Sequence, residues 1–432
     1  MGYEQEQEGL GVEKCSMTDF TADLVDRLTL LAMDDPQKWE NEFGLTEGDI
    51  LKPMLIIGPP GVGKTAGIVA AIKMINEKYK DKGIHFDMKK IQLGQTIVGD
   101  FTPMPVVNNV TGKVERLPMP ELPQEERDGR FGVLFLDEIT SADTQQVQPA
   151  LGLCDDTRTI NVDYTLPNRW LVVGAGNGPD CGNFVKLDDM TLSRFITYDL
   201  DYRFETDWRD YAHQSGIDEN ILAFLNFAPE YMVKVQSTDF EKAGKLFPCP
   251  RTWSALSGNM RLREAAGRKI KPSEMLQVAS RAIGTEAATK FQAFYKLAMS
   301  DEIKYDAKAI LAGTEKDPEP GLKREVFHIL LERMFTILKE QEKSGTCDIK
   351  DGKGKLLTTK ECFGNAMTWV VKVNEIDTVI KAIIEAKDSV PKLAVLIAQP
   401  SFKQEYPEIA KFFQQNASTI ARNLSVLKKS SF

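Results

Sequence analysis

Histidine is scarce in this chain and cysteine is thinly spread. Three histidines (His85, His213, His328) in 432 residues lie too far apart to offer metal-ligand spacing. Six cysteines (Cys15, Cys154, Cys181, Cys249, Cys347, Cys362) include no C-x-x-C pair. That excludes the usual zinc modules and argues for a reduced, intracellular chain. No apolar run approaches the roughly eighteen residues of a membrane span. The stretch Met1–Glu8 is acidic and polar and reads as neither a secretory signal nor a transit peptide. The expected location is the cytoplasm, with no membrane partner. Positive charge is not in excess. A formal net charge of −9 argues against a general polyanion binder. No N-K-x-D base-reading motif occurs, which argues against a GTPase. Internal repeats and low-complexity tracts are also missing.

What remains is ordinary globular composition, with 42% hydrophobic and 27% charged residues. The length suits two or three domains rather than one core.

One stretch stands out. Gly58-Pro59-Pro60-Gly61-Val62-Gly63-Lys64-Thr65 follows the apolar run Met54-Leu55-Ile56-Ile57 and precedes a helix-like run beginning at Ala66. Strand, glycine-rich loop and helix, with G-x-x-x-x-G-K-[ST] at the joint, make a phosphate-binding loop. Small residues let successive backbone N–H groups curl around a phosphate. The helix N-terminus points partial positive charge at the same anion. Lys64 is placed to reach β and γ phosphates, and Thr65 to hold Mg²⁺ through its hydroxyl.

A second motif gives the loop a reaction. Gly132-Val133-Leu134-Phe135-Leu136-Asp137-Glu138 is a buried-strand pattern ending in two carboxylates. Asp137 can support Mg²⁺, directly or through water, and Glu138 can polarise an attacking water.

Short apolar runs alternate with helical segments from Pro53 to Arg203. Expected strands are Met54–Ile57, Lys90–Leu93, Val133–Asp137, Trp170–Ala175 and Phe195–Asp199. This alternation predicts an α/β fold, a parallel sheet sandwiched by helices. Upstream, residues 1–16 read as frayed, Thr18–Glu42 as one amphipathic helix and Gly44–Lys52 as a linker. The loop-rich segment Gly94–Arg130 carries an expected hairpin at Val106–Val114, and Arg158–Leu166 reads as a second. Beyond residue 205 the pattern turns helical, including Ser273–Met299. Asp301–Pro320 reads as a linker and 321–432 as helices. There, Ile376, Val379, Ile380, Ile383 and Ile384 form a one-face stripe expected to be core. The expected domains are an N-terminal helical segment (1–50), the nucleotide-binding domain (51–204), a helical lid (205–300), and a linker with a helical C-terminal domain (301–432).

Three later segments narrow the class. Trp170–Asn177 is a strand ending in Asn and resembles the sensor 1 strand of AAA+ ATPases. That resemblance inserts it between the acidic strand and the loop. Thr191-Leu192-Ser193-Arg194-Phe195 resembles their arginine-finger region. Pro248-Cys249-Pro250-Arg251 resembles their sensor 2 element. Within AAA+, the chain is similar to the MoxR-like branch of bacterial and phage proteins. The similarity rests on Leu93–Pro105, on Asp137–Asp143, on the hairpin before Asn177, and on Pro250-Arg251. One departure is Gly174-Ala175-Gly176, an unusually glycine-rich approach to Asn177.

The resemblance implies a P-loop NTPase sheet of AAA+ type followed by an all-helical lid. It implies ATP and Mg²⁺ as cofactors, with Gly58, Pro59, Pro60, Gly61, Val62, Gly63, Lys64, Thr65, Ala66 and Arg251 around the nucleotide and Thr65 and Asp137 on the metal. Glu138, Asn177 and Arg194 are the catalytic candidates. Asn177 has an amide able to orient a water. Arg194 has a planar cation for transition-state charge, supplied to a neighbouring subunit. Arg158 and Arg169 are rival arginines. The resemblance further implies a homo-oligomeric ring, a hexamer by family pattern, that remodels a client protein, often one with a von Willebrand factor A domain. Alternatives are a DNA-directed AAA+ ATPase, clamp-loader-like or restriction-associated, and an ATP-binding scaffold with little turnover. The basic run Arg261, Arg263, Arg268, Lys269, Lys271 leaves nucleic acid open as a partner. Without interleaved aromatic residues it reads first as a solvated surface.

Overall fold

The computed structural model describes residues 11–101, 104–107, 109–110, 112–160, 164–179, 184–234, 246–373 and 375–420. The expected fraying of residues 1–10, part of the segment Leu93–Pro105, Cys181 and the end of the helical tail beyond residue 420 lie outside these residues. The chain divides into two compact units, the first running to Tyr202 and the second starting at Arg203.

The first unit is built on a six-stranded, all-parallel sheet. Its strands are β1 (Lys14–Cys15), β2 (Met54–Ile57), β3 (Phe86–Gln92), β6 (Phe131–Asp137), β9 (Arg169–Gly176) and β10 (Ile196–Leu200). Two small antiparallel hairpins complete the strands: β4 (Met104–Val107) with β5 (Val114–Leu117), and β7 (Thr159–Ile160) with β8 (Tyr164–Thr165). The sheet order is β1-β10-β2-β9-β6-β3. β2 and β9 are buried at every position, as expected for parallel strands covered on both faces. The chain leaves β2 for the far edge at β3 and then works back through β6 and β9, so β2 lies at the point where strand order reverses. Ligands of open parallel sheets bind outside the carboxyl ends of strands at such a point.

Several boundaries differ from expectation for identifiable reasons. Thr18–Glu42 is two helices, Met17–Met33 and Pro36–Phe43. Asp34 is left-handed at φ 49°, Asp35 caps the second helix and Pro36 opens it, a position that proline favours. The linker Gly44–Lys52 contains the helix Glu47–Leu51, held by a capping box of Thr46 and Asp49. β3 starts four residues before the expected strand, because its polar residues on a sheet edge mask the pattern. β1 arises in the stretch read as frayed and, among the described residues, pairs with β10 alone.

The second unit is helical. Ser273–Met299 is two helices, Met275–Ile283 and Thr285–Ala298, broken at Gly284. The stretch Asp301–Pro320 is not a plain linker. It holds the helix Ala307–Ala312, capped by Asp306, and buries Tyr305, Ile310 and Leu311 in the core. The expected lid and C-terminal regions lie in one unit. Asn226 donates to Glu332 Oε1 at 2.8 Å, Arg209 Nε donates to Asp388 Oδ2 at 2.7 Å, and Arg333 donates to the Ala298 carbonyl. Of the isoleucine–valine stripe, Val379 and Ile380 are buried and Ile383 and Ile384 pack on the same core, whereas Ile376 is exposed.

Candidate nucleotide site

The loop leaves β2 at Ile57, and the Gly58 N–H donates to the Gly176 carbonyl of β9 at 3.3 Å. Gly61 and Gly63 have φ of 76° and 95°, a region side chains strain to enter. Gly63 then caps the helix Lys64–Lys78 and, having no side chain, places no capping group over that helix's N-terminus. Its first backbone N–H groups are therefore suited to an anion. Lys64 Nζ donates to the carbonyls of Gly58 at 2.8 Å and Pro59 at 2.9 Å and to Asn177 Oδ1 at 3.2 Å. The fold thus brings together Lys64 and Asn177, 113 residues apart in sequence.

Asp137 ends β6 at the same end of the sheet. β2 and β6 flank β9, with Ile57 opposite Gly176 and Leu136 opposite Gly174. Two strand spacings separate loop and acidic pair by about 10 Å. Asp137 Oδ2 pairs with Lys90 Nζ at 2.6 Å, and Oδ1 accepts the Glu138 N–H at 2.9 Å. Glu138 turns the chain away from the strand with φ 58°. A left-handed non-glycine residue is uncommon and concentrates at functional turns. The Glu138 carboxylate lies over Gly94, where a Cβ would stand 3.2 Å from Oε2.

Thr140, fully buried, fixes the other side of the turn. Its hydroxyl accepts the Asn177 N–H at 2.7 Å and donates to the Asn177 carbonyl at 3.0 Å. This accounts for the glycine-rich approach to Asn177. A Cβ on Gly176 would lie 2.6 Å from Thr140 Cγ2 and 2.7 Å from its hydroxyl oxygen. Neither Thr140 nor Lys90 was singled out from sequence. Lys90 stands two residues before Gln92, the register partner of Asp137, and so shares its face of the sheet. That placement depends on strand register, which the sequence does not carry. For Thr140 the one available signal was the small residue at 176, which needs a close neighbour to explain it.

Arg194 is not brought to this end. It precedes β10, whose Ile196 aligns with Met54 at the start of β2, whereas the loop follows Ile57 at its finish. Lys52, just before β2, donates to the Ser193 carbonyl at 3.3 Å. Arg194 therefore lies at the amino end of the strands, where it pairs with Asp155 and donates to the Met190 carbonyl at 2.8 Å. The rival Arg169 is buried and pairs with Asp34 and Glu47. Arg158 bonds the carbonyls of Asn168, Pro167 and Trp170. Burial pushes its guanidinium down to about 10. Arg251 belongs to the second unit, exposed in the first turn of the helix Pro250–Ala265.

The set of loop and helix N-terminal N–H groups, the Lys64 ammonium, the Thr65 hydroxyl and the Asp137 carboxylate suits a polyphosphate carrying a hard divalent cation. Among the described residues no cluster of three or more His, Cys, Asp or Glu side chains could hold a metal alone. A cation here would need the phosphates as ligands. No helix among the described residues is long and apolar enough to cross a membrane.

Residues 53–195 match the family described as the AAA domain, dynein-related subfamily. The match takes in β2 to the eve of β10 and every candidate site residue except Arg251. No curated protein matches the chain. Similar solved structures include a RuvB point mutant from Thermotoga maritima, at 16% identity and TM-score 0.32, covering 69% of this chain and 79% of that one. Another is PCH-2 from C. elegans, at 14% identity and TM-score 0.29, covering 64% and 67%. The six-strand parallel sheet with its helices, followed by a helical unit, has the architecture of an AAA+ α/β module with a helical lid region. The family match supports an AAA+ ATPase module in residues 53–195.

Proposed function

We propose that this protein is an ATP-hydrolysing AAA+ motor of the MoxR-like type, working as an oligomeric ring on a protein partner. The observation that carries the reading is the gathering of Lys64, Asn177, Asp137 and Glu138 at the carboxyl end of one parallel sheet. In this reading the loop N–H groups and Lys64 bind the triphosphate, and Lys64 leaves the loop carbonyls to do so. Mg²⁺, held by Thr65 and Asp137, would neutralise phosphate charge. Glu138 accepts a proton from the attacking water, and Asn177 orients that water through its amide. Arg194 stands at the far end of its own sheet, which supports its acting on a neighbour's nucleotide and so supports a ring. The resemblance to MoxR-like proteins makes that ring a hexamer and the partner a client, of which a von Willebrand factor A domain protein is one kind.

Exposed apolar residues on the β4–β5 hairpin (Met104, Val107, Val114 and Leu117) support a protein as the partner. The test is Glu138→Gln. Removing a general base costs about a thousandfold in turnover, while Mg·ATP affinity is expected to stay within about twofold because the amide keeps the shape and loop contacts. Undiminished phosphate release by this variant overturns the assignment of the base. Tight binding without turnover in the wild type would favour the scaffold alternative, and stimulation of turnover by DNA the DNA-directed one.

A further inference from the structure

Two thiols in the helical unit face each other. Cys347 Sγ and Cys362 Sγ lie 3.6 Å apart. Cys347 is partly exposed and Cys362 fully buried. The fifteen-residue separation is not a free loop. Helix Arg324–Ser344 ends at left-handed Gly345. The chain then forms a small hairpin in which Lys350 bridges Leu356, the Asp351 N–H donates to the Lys355 carbonyl at 2.9 Å, and the Leu357 N–H donates to the Ile349 carbonyl at 2.9 Å. Ile349 and Leu357 are buried in the unit's core. The helix Thr359–Val371 follows, fixed at its start by a capping box of Thr358 and Glu361 and carrying Cys362 in its first turns. Both thiols are thus held by ordered backbone. Closure to a disulfide needs the sulfurs to approach by roughly 1.5 Å, within reach of side-chain rotation.

We propose that Cys347 and Cys362 form a reversible disulfide on reaction with a low-molecular-weight disulfide, tying the end of one helix to the start of the next. The Cys347 thiolate attacks one sulfur of the small disulfide. One thiolate leaves and takes up a proton, and a mixed disulfide remains on Cys347. Cys362 then gives up its proton and attacks the Cys347 sulfur, and the second small thiol leaves carrying a proton. Two protein thiols are oxidised to one disulfide, and one small disulfide is reduced to two thiols. The order of attack follows exposure, since only Cys347 is open to solvent. Burial and the neighbouring Cys347 push the Cys362 thiol up to about 12, which also keeps it from attacking first.

The test uses the full chain equilibrated with oxidised and reduced glutathione, quenched with an alkylating agent and mapped by mass spectrometry without reduction. The expected product is a cross-linked peptide pair containing Cys347 and Cys362, with loss of two hydrogens, at a poise where Cys15, Cys154 and Cys249 are still alkylated. The oxidised protein should melt about 5 °C higher than the reduced one and return on reduction, because the link constrains the unfolded chain. Cys362→Ser should stop at a glutathione adduct on Cys347, and Cys347→Ser should leave Cys362 without an adduct. A stable Cys347 adduct in the wild type, a link to a different cysteine, or no oxidation of the pair at a poise that oxidises the other thiols overturns the proposal.

Discussion

Thr140→Val isolates what holds Asn177 in place. Valine matches threonine closely in size, so this fully buried position gains no cavity. What disappears is one hydroxyl that serves both backbone groups of Asn177, at 2.7 and 3.0 Å. Each such bond contributes about 1 kcal/mol net, and leaving a buried partner unmade costs roughly 1–3 kcal/mol. Asn177 is only partly buried, so water recovers some of that loss. The turn is therefore expected to lose about 2–3 kcal/mol. A displacement of about 1 Å at a water-positioning amide can cost on the order of a hundredfold in rate. In phosphate-release assays, kcat should fall by about 10- to 100-fold. Mg·ATP affinity by calorimetry should change by less than about threefold, since the loop is untouched. Thr140→Ser keeps the hydroxyl and should retain most of the rate. Because Thr140 acts through Asn177, adding Asn177→Ala to Thr140→Val should cost far less than the product of the two single effects. An unchanged kcat in Thr140→Val, or full multiplicativity with Asn177→Ala, would mean that Thr140 does not act through Asn177.

Lys90→Met should free the Asp137 carboxylate. A partly exposed pair of this kind is worth about 0.5–1 kcal/mol, so the Mg²⁺ concentration at half-saturation, read from a fluorescent ATP analogue, should fall about threefold; no change would mean that Lys90 does not compete there. Mixing Arg194→Ala with Glu138→Gln, each inactive alone, should restore part of the turnover if Arg194 acts on a neighbouring subunit, and mixtures as inactive as their parents would contradict that. Stability should depend on pH through the helical unit. Burial beside Glu385 holds Glu332 well above the usual carboxylate range, and burial pushes Glu385 up to about 7. The folded state therefore keeps protons the unfolded state has lost, and this stabilisation fades as pH rises from about 4.5 through 7. Burial pushes His213 and His328 down to about 3, so their contribution is present above about 6.5 and fades as pH falls toward 3. Thermal melts should show highest stability between these limits, and Glu385→Gln should flatten the alkaline side; a wild-type alkaline slope in that variant would argue against the carboxyl pair as its source.

The parts of the fold legible in sequence were those with one dominant signal. β2, β6 and β9 read as strands because unbroken apolar runs have few other homes than a sheet covered on both faces. The phosphate loop was legible because its backbone geometry restricts residue type at several positions at once. Pro36 and Gly284 mark helix boundaries that apolar periodicity alone ran across, although the proline was visible in the sequence. Edge strands were harder. β1 is two residues long and β3 carries Asp87, Lys89 and Lys90, so neither displays a hydrophobic period. Least legible were relations set by register. The Lys90–Asp137 pair and the Thr140–Asn177 bonds join residues 47 and 37 positions apart, and each needs the sheet order before it can be seen. Arg194 illustrates the converse. Its motif was visible, but its position at the opposite end of the strands from Lys64 came only from the pairing of Ile196 with Met54.

One triphosphate is expected to bind where the Lys64 loop meets the ends of β6 and β9. Calorimetric titration of Mg·ATP into the wild type and Lys64→Ala tests it most directly. The wild type should bind about one nucleotide per chain, and the alanine variant should lose at least about tenfold in affinity, as expected when a charged contact to phosphate is removed. Equal affinity in the two proteins, or no binding heat from the wild type at several temperatures, would mean that the Lys64 loop is not a triphosphate site.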